Sequence, residues 1–153
     1  PAHWGLNPGA PALVELARGC AELSLPLVLT VRFEDARQRH PLDVAGDLAA
    51  AAIRELARAG TGARLVVVAA GRSLIEEVHW GLTPEERASV WYDTSWIWGP
   101  PEDDFAHLLR TIGPQRFVYG TGWPMRLAQA TRANLALLPP ELSGVALADP
   151  SSW

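Results

Sequence analysis

The sequence predicts a parallel α/β fold built from four strand–helix repeats. Four apolar runs with the length and composition of buried strands alternate with amphipathic helical segments. No hairpin signal such as Asn-Gly joins two of these runs. Strands separated by helices pair in parallel through right-handed crossovers. Half of a (β/α)8 barrel and a small open parallel sheet with helices on both faces share this pattern, and periodicity does not separate them.

Length and charge set limits on the whole chain. Its 153 residues, 48% of them hydrophobic, are enough for one domain, 1–153, with its own core. A complete (β/α)8 barrel needs about 250 residues, so a barrel relative of this length would be part of one. The net charge is −4, and arginines are scattered among the carboxylates, which argues against a nucleic-acid partner. All 13 basic residues are arginine, so no lysine is present for a Schiff base or a carbamylated metal bridge.

The sequence carries no signal for secretion or for a membrane. Cys20 is the single cysteine, so the chain forms no internal disulfide, and a reducing compartment fits. No apolar stretch approaches the roughly 20 residues that a spanning helix needs. We therefore expect a soluble, cytoplasmic protein with no membrane partner.

The first repeat follows an irregular stretch, 1–10, with two prolines and two glycines. A strand is predicted over 25–33, where β-branched and apolar residues dominate. Asp43 predicts the N-cap of a long helix that ends near Ala59, before Gly60. Ahead of the strand, Pro11 fits the first turn of a helix whose buried stripe is predicted to comprise Leu13, Leu16, Cys20 and Leu23.

The other three repeats follow the same plan. The run 63–70 is continuously apolar, as a strand covered on both faces must be. Two capping-box spacings, Ser73 with Glu76 and Thr83 with Glu86, predict two short helices. The remaining predicted elements are a strand over 89–97, a helix with Phe105, Leu108, Leu109 and Ile112 on its buried stripe, a strand over 116–122, a helix over 126–138, and a tail, 141–153, that is either a short helix or a loop.

The four strand ends carry motifs in a consistent order. They read LPLVLT (25–30), VVVAAG (66–71), VWYDTSW (90–96) and YGTGWP (119–124). These runs resemble the ends of the fifth to eighth strands in the amidohydrolase family of metal-dependent (β/α)8-barrel hydrolases, with patterns such as LPVVIH, LVLAHLGG, VYLDTSG and FGSDWP. The resemblance extends over about 23–138 and implies the C-terminal half of a barrel.

The resemblance also implies where metal ligands should stand, and those positions have changed. Thr30 and Ala69 occupy two histidine positions, and Gly122 occupies that of the metal-binding, proton-transferring aspartate. Zinc needs imidazole, thiolate or carboxylate donors, which none of these three residues supplies. The family's first-strand histidine pair would lie upstream of Pro1. We expect no metal and no cofactor in this chain, and whether it is an enzyme stays open.

Polar residues near these strand ends are the remaining catalytic and binding candidates. The resemblance retains Asp93, predicted to face the barrel interior together with Ser95. Asp93 and His40 are candidate bases. Strand alternation places Arg32 on the same face as Thr30, where its guanidinium could clamp a carboxylate or phosphate. The alternative is that Arg32 neutralises Glu34, Asp35 or Asp93.

Tryptophans cluster at the same strand ends. Trp96, Trp98 and Trp123 could form an aromatic lid over an apolar ligand, or could fill a mouth left empty by the lost metal. The candidate ligand-binding set is therefore Arg32, Ser95, Trp96 and Trp123.

Three functions are compatible with these patterns. The first is an amidohydrolase-like barrel segment without a metal site that binds a small molecule or has a structural role. The second is a metal-free hydrolase or lyase acting on a small anionic substrate. The third is a non-catalytic interaction module. Four parallel strands cannot close a cylinder, and the apolar runs 63–70 and 116–122 would leave edges that invite association. We expect the remaining barrel half in the same polypeptide, since Pro1 starts in mid-loop without an initiator Met, or else a homo-oligomer.

Overall fold

A computed structural model describes residues 11–33, 35, 37–42 and 46–153. Its centre is an all-parallel sheet of four strands, which lie side by side in the order in which they occur in the sequence. One-turn 3₁₀ helices cover Pro114–Arg116, Pro140–Leu142 and Pro150–Ser152. The strands are β1 Leu27–Thr30, β2 Leu65–Val68, β3 Val90–Asp93 and β4 Phe117–Val118, and the α-helices are α1 Pro11–Glu22, α2 Ala50–Arg58, α3 Arg72–Trp80, α4 Pro84–Arg87, α5 Asp104–Thr111 and α6 Ala128–Ala136.

One face of the sheet carries the hydrophobic core. Leu29, Val67, Tyr92 and Phe117 are aligned in register across all four strands, and each is buried. Buried side chains of α1, α2, α3 and α5 join these residues in a single cluster. On the opposite face Val28 is 55% exposed. Strands that follow one another without a reversal, joined by right-handed crossovers, place their connecting helices on the same face. The buried side chains of these four helices thus pack against the face that carries Leu29, Val67, Tyr92 and Phe117.

The second helix is shorter than predicted. Asp43, its predicted N-cap, lies outside the described residues, and α2 begins only at Ala50. The segment 46–49 is not helical, because the N–H of Leu48 donates to the Val31 carbonyl at 3.0 Å and the Leu48 side chain is buried. These residues therefore lie against the end of β1 instead of starting the helix.

The buried stripe of α1 was predicted partly wrong. Leu13 and Ala17 are its buried residues, whereas Leu16 and Leu23 are exposed. Ala17 adds little apolar area and so was passed over, but its small side chain lets the helix approach the core closely. Cys20 is partly buried against the same cluster.

One of the two predicted capping boxes is confirmed. The Thr83 hydroxyl accepts from the Glu86 N–H at 3.3 Å, and the Glu86 carboxylate accepts from the Thr83 N–H at 2.9 Å. The Ser73 prediction is wrong, because Gly71 stands at the N-cap of α3 and makes no side-chain bond. Glu76 accepts instead from Arg72 and lies 2.9 Å from the His107 ring.

The edges of the sheet also differ from the prediction. The apolar run 63–70 contains β2, which lies between β1 and β3 and is not an edge. The other run contains β4, which the C-terminal tail meets: the Ala148 N–H donates to the Phe117 carbonyl at 2.8 Å, and Ala148 bridges Val118 in parallel. None of the described helices is both long enough and apolar enough to cross a membrane.

Candidate functional site

A cavity of about 200 Å³ opens at the carboxyl ends of the strands. Thr30 ends β1, Ala69 follows β2, Asp93 ends β3 and Gly122 follows β4, so every strand supplies one lining residue. In parallel sheets this end is where ligand sites form. The other lining residues are Arg32, Phe33, Val68, Ser95, Trp96, Trp123, Met125 and Arg126.

Asp93 is a buried carboxyl held in a fixed position. It is 6% exposed, and its Oδ1 accepts the Ala69 N–H at 3.0 Å. Ala69 has a φ of +58°, an uncommon conformation for a residue with a Cβ. Burial raises the pKa of Asp93, while hydrogen bonds from Ser95 and Ala69 and the charge of Arg126 oppose that rise. The carboxyl group therefore combines a raised pKa with a defined orientation.

Gly120 provides the space that the Asp93 carboxyl occupies. A Cβ at position 120 would lie 2.3 Å from Asp93 Oδ2. Buried Thr94 fixes the Gly120 backbone, since its hydroxyl donates to the Gly120 carbonyl at 3.1 Å and accepts the Gly120 N–H at 3.1 Å. Thr131 of α6 donates to the same carbonyl at 3.2 Å. The ends of β3 and β4 are thus joined behind the cavity.

Arg126 is the principal site residue that sequence reasoning missed. Its guanidinium carbon lies 4.6 Å from the Trp96 ring centroid and 4.8 Å from that of Trp98. One of its nitrogens donates to the Ser95 carbonyl at 2.5 Å. Burial lowers the pKa of Arg126, and the charge of Asp93 opposes this. An arginine that follows a strand end after Trp-Pro was an available signal, but it was assigned only to the start of a helix.

Arg32 reaches the cavity, but its ionic partner was predicted wrongly. It pairs with Asp47 at 2.9 Å, and the second oxygen of Asp47 accepts from Arg39 at 2.7 Å. Asp47 comes next to Arg32 because the neighbouring Leu48 N–H donates to the Val31 carbonyl, which holds the segment 46–49 beside the end of β1. Of the predicted partners, Glu34 lies outside the described residues and Asp35 pairs with Arg37. Arg32 Nε is buried and has no hydrogen-bond partner among the described residues.

The cavity residues do not fit a catalytic zinc ion. Among the described residues Asp93 is the only acidic side chain that lines the cavity. No group of three or more His, Cys, Asp or Glu in the described part of the chain could hold a metal. Gly122 has a φ of +69°, and a Cβ there would lie 3.3 Å from the Ser95 Cβ. An aspartate at position 122 would therefore be strained.

His40 is the candidate that the fold leaves outside the cavity. It is exposed, does not line the cavity, and its Nδ1 accepts the Leu42 N–H at 3.1 Å. Trp123 lines the cavity but is largely exposed. The fold thus collects eight of the ten positions identified from sequence, namely Thr30, Arg32, Ala69, Asp93, Ser95, Trp96, Gly122 and Trp123. Trp98 lines a neighbouring cavity instead.

Comparisons of the chain with protein-family models, with curated proteins and with solved structures find no match. The function is therefore argued from the geometry of the cavity.

Proposed function

We propose that the chain is half of an amidohydrolase-like (β/α)8 barrel whose mouth binds a small anionic ligand without a metal. The observation that carries this proposal is the pair of guanidinium groups, Arg32 and Arg126, on the Trp96 ring. They line the cavity in which the family resemblance would place a metal.

Two features of the fold support the barrel part of the proposal. The strands follow one another in sequence order, and the core helices lie against one face, as in a (β/α)8 barrel. An open doubly wound sheet instead reverses its strand order and carries helices on both faces. In a barrel the face bearing exposed Val28 would point inward, toward strands contributed from elsewhere.

The charges at the mouth favour an anion. Arg32 Nε is a buried donor that no described residue accepts from, and an acceptor atom of a ligand would satisfy it. Arg126 has only part of its donor set engaged, at the Ser95 carbonyl. Guanidinium groups bind carboxylates through two parallel hydrogen bonds.

Titration with sodium propionate and with neutral propionamide, followed by NMR, tests this ligand class. We expect propionate to bind and propionamide to bind at least tenfold more weakly. Arg126→Gln should weaken propionate binding by about ten- to a hundredfold, the range for a lost charge-assisted hydrogen bond. Arg110→Gln is the matched control, because Arg110 pairs with Glu141 on the surface. Equal binding of acid and amide, or unchanged binding by Arg126→Gln, would contradict the proposal.

Self-association tests the barrel part separately. The outer edge of β1 is the end of the sheet that the tail does not meet. We expect the isolated chain to form oligomers or aggregates in sedimentation experiments. Val28→Lys should reduce this association, whereas Leu137→Lys, at an equally exposed leucine outside the sheet, should not. A stable monomer with a sharp, cooperative melt would refute the half-barrel.

The buried carboxyl favours a second candidate, a metal-free hydrolase or lyase acting on a small anionic substrate. Asp93 would serve as the base, since its pKa is raised by burial and it lines the cavity beside the guanidinium groups. Asp93→Asn should abolish such turnover while leaving the anion bound. If the Asp93→Asn variant still turned over substrate, Asp93 would not be the base.

A further inference from the structure

A second cavity, of about 380 Å³, adjoins the first and has a different character. We call it the groove. The two cavities share Phe33, Trp96, Met125 and Arg126, so one ligand could occupy both. Beyond this shared part the groove is lined by Trp98, Leu127 and Ala130 and by Asp35, Arg37 and Gln38.

Several of the side chains that line the groove are apolar and exposed. Met125 is 62% exposed and Leu127 is 69% exposed, and half-exposed Trp98 and Phe33 lie along the same groove. Isolated exposed apolar residues are normal, but several around one concave surface mark a binding site. The groove therefore suits an apolar ligand segment.

The charged groups of the groove do not call for a second charge on the ligand. Arg37 Nε and Nη2 donate to the two oxygens of Asp35, each at 2.9 Å, so these two side chains satisfy each other. Arg126 is the charged residue that the groove shares with the inner cavity. A ligand held there by an anionic head would leave its body to lie along Trp98, Met125 and Leu127.

We propose that the ligand is an elongated carboxylic acid. Its carboxylate lies at Arg126 and Arg32 in the inner cavity, and its unbranched apolar chain runs outward along the groove. This inference rests on the proposed anion site and adds the class and orientation of the ligand. A fully buried methylene group increases affinity about fourfold. A methylene group in an open groove is only partly buried, so we expect affinity to increase about twofold for each methylene added.

A chain-length series measures this directly. Propionate, butyrate, hexanoate and octanoate, each titrated calorimetrically below its micellar concentration, should bind progressively more tightly. Leu127→Gln should lower the ratio of octanoate to propionate affinity by at least threefold. Leu137→Gln is the control, since Leu137 is comparably exposed, at 60%, but does not line the groove. It should keep the wild-type ratio.

The outcomes separate the two proposals. Affinity independent of chain length, or an unchanged ratio in Leu127→Gln, overturns the groove assignment while leaving the anion site in place. Octanol binding as tightly as octanoate overturns the orientation, because the carboxylate would then contribute nothing. If none of the four acids binds, both the anion site and the groove assignment are wrong.

Discussion

Gly120→Ala is the substitution for which the structure predicts the largest local effect. The new Cβ would lie 2.3 Å from Asp93 Oδ2 and 3.0 Å from Asp93 Cγ. Asp93 is buried and tied to the Ala69 N–H, so its carboxyl has little room to rotate away. Overpacking costs about 1–3 kcal/mol, and losing a buried hydrogen bond costs about 1–3 kcal/mol more. We expect a total loss of about 2–6 kcal/mol in the free energy of unfolding, the sum of these two effects.

Urea and thermal denaturation of the purified variant measure this loss. For a chain of this length each kcal/mol corresponds to about 2–4 °C in Tm, so we expect a decrease of about 4–24 °C. Gly19→Ala is the matched control, because a Cβ there meets no atom within 4 Å and Gly19 lies inside α1. In a helix interior alanine is more stable than glycine by about 0.5–1 kcal/mol. The same substitution should thus have opposite signs at the two sites.

A double-mutant cycle tests the stated cause. If the clash is with the Asp93 carboxyl, Gly120→Ala should cost much less in an Asp93→Ala background, with a coupling energy of about 1–3 kcal/mol. The reasoning is refuted if Gly120→Ala is as destabilising in that background as in the wild type, or if its Tm equals that of the wild type.

The remaining predictions concern metal content, backbone clamping, backbone strain and pH. Plasma emission spectrometry of the purified protein should find no stoichiometric zinc, since the three expected ligand positions carry no adequate donor; one tightly bound zinc per chain would disprove this. Thr94→Val removes both bonds to Gly120 and should cost about 1–3 kcal/mol in urea denaturation, whereas the exposed control Thr111→Val should cost close to nothing. Ala69 has a positive φ, which glycine adopts without strain, so Ala69→Gly should raise the unfolding free energy by about 1 kcal/mol. An unfolding free energy below that of the wild type would show that this conformation is not strained. Burial lowers the pKa of His79 from 6.5 to about 4. The unfolded state therefore binds the additional proton between these pH values, and the unfolding free energy should fall by about 1–3 kcal/mol as the pH drops through that range. A His79→Gln variant should lack this pH dependence. If its unfolding free energy fell as much as that of the wild type over the same pH range, a group other than His79 would be responsible.

The order of elements was predictable because its signals are local. The apolar runs, the stop signals and the Thr83 capping box each depend on residues close in sequence, and the four strands occur inside the predicted runs. Every strand was nevertheless predicted too long. The ends of these apolar runs leave the sheet to form the cavity walls, and composition does not distinguish a paired residue from an unpaired one.

Much of the candidate site was predictable because parallel strands end at one edge. Any motif that ends such strands is brought to the same place, which is why Thr30, Ala69, Asp93 and Gly122 line one cavity. This rule could have included Arg126, which follows the fourth predicted strand, but it could not identify Asp47. Arg126 acts through Ser95 and Trp96, which lie far from it in the sequence. Asp47 acts through Arg32 and Arg39, and it lies in a segment that was predicted as helix.

By itself, the sequence determined the parallel α/β class, the succession of helices and strands, and which motifs lie near the strand ends. Only the tertiary structure decided that the core helices share one face, that β2 is internal, that Ala148 meets the edge of β4, and that Arg32 pairs with Asp47. The physical reason is the sequence separation of the residues that interact. Periodicity and capping depend on neighbours a few residues away, whereas face, edge and ion-pair choices depend on distances between segments that meet only after the chain has folded.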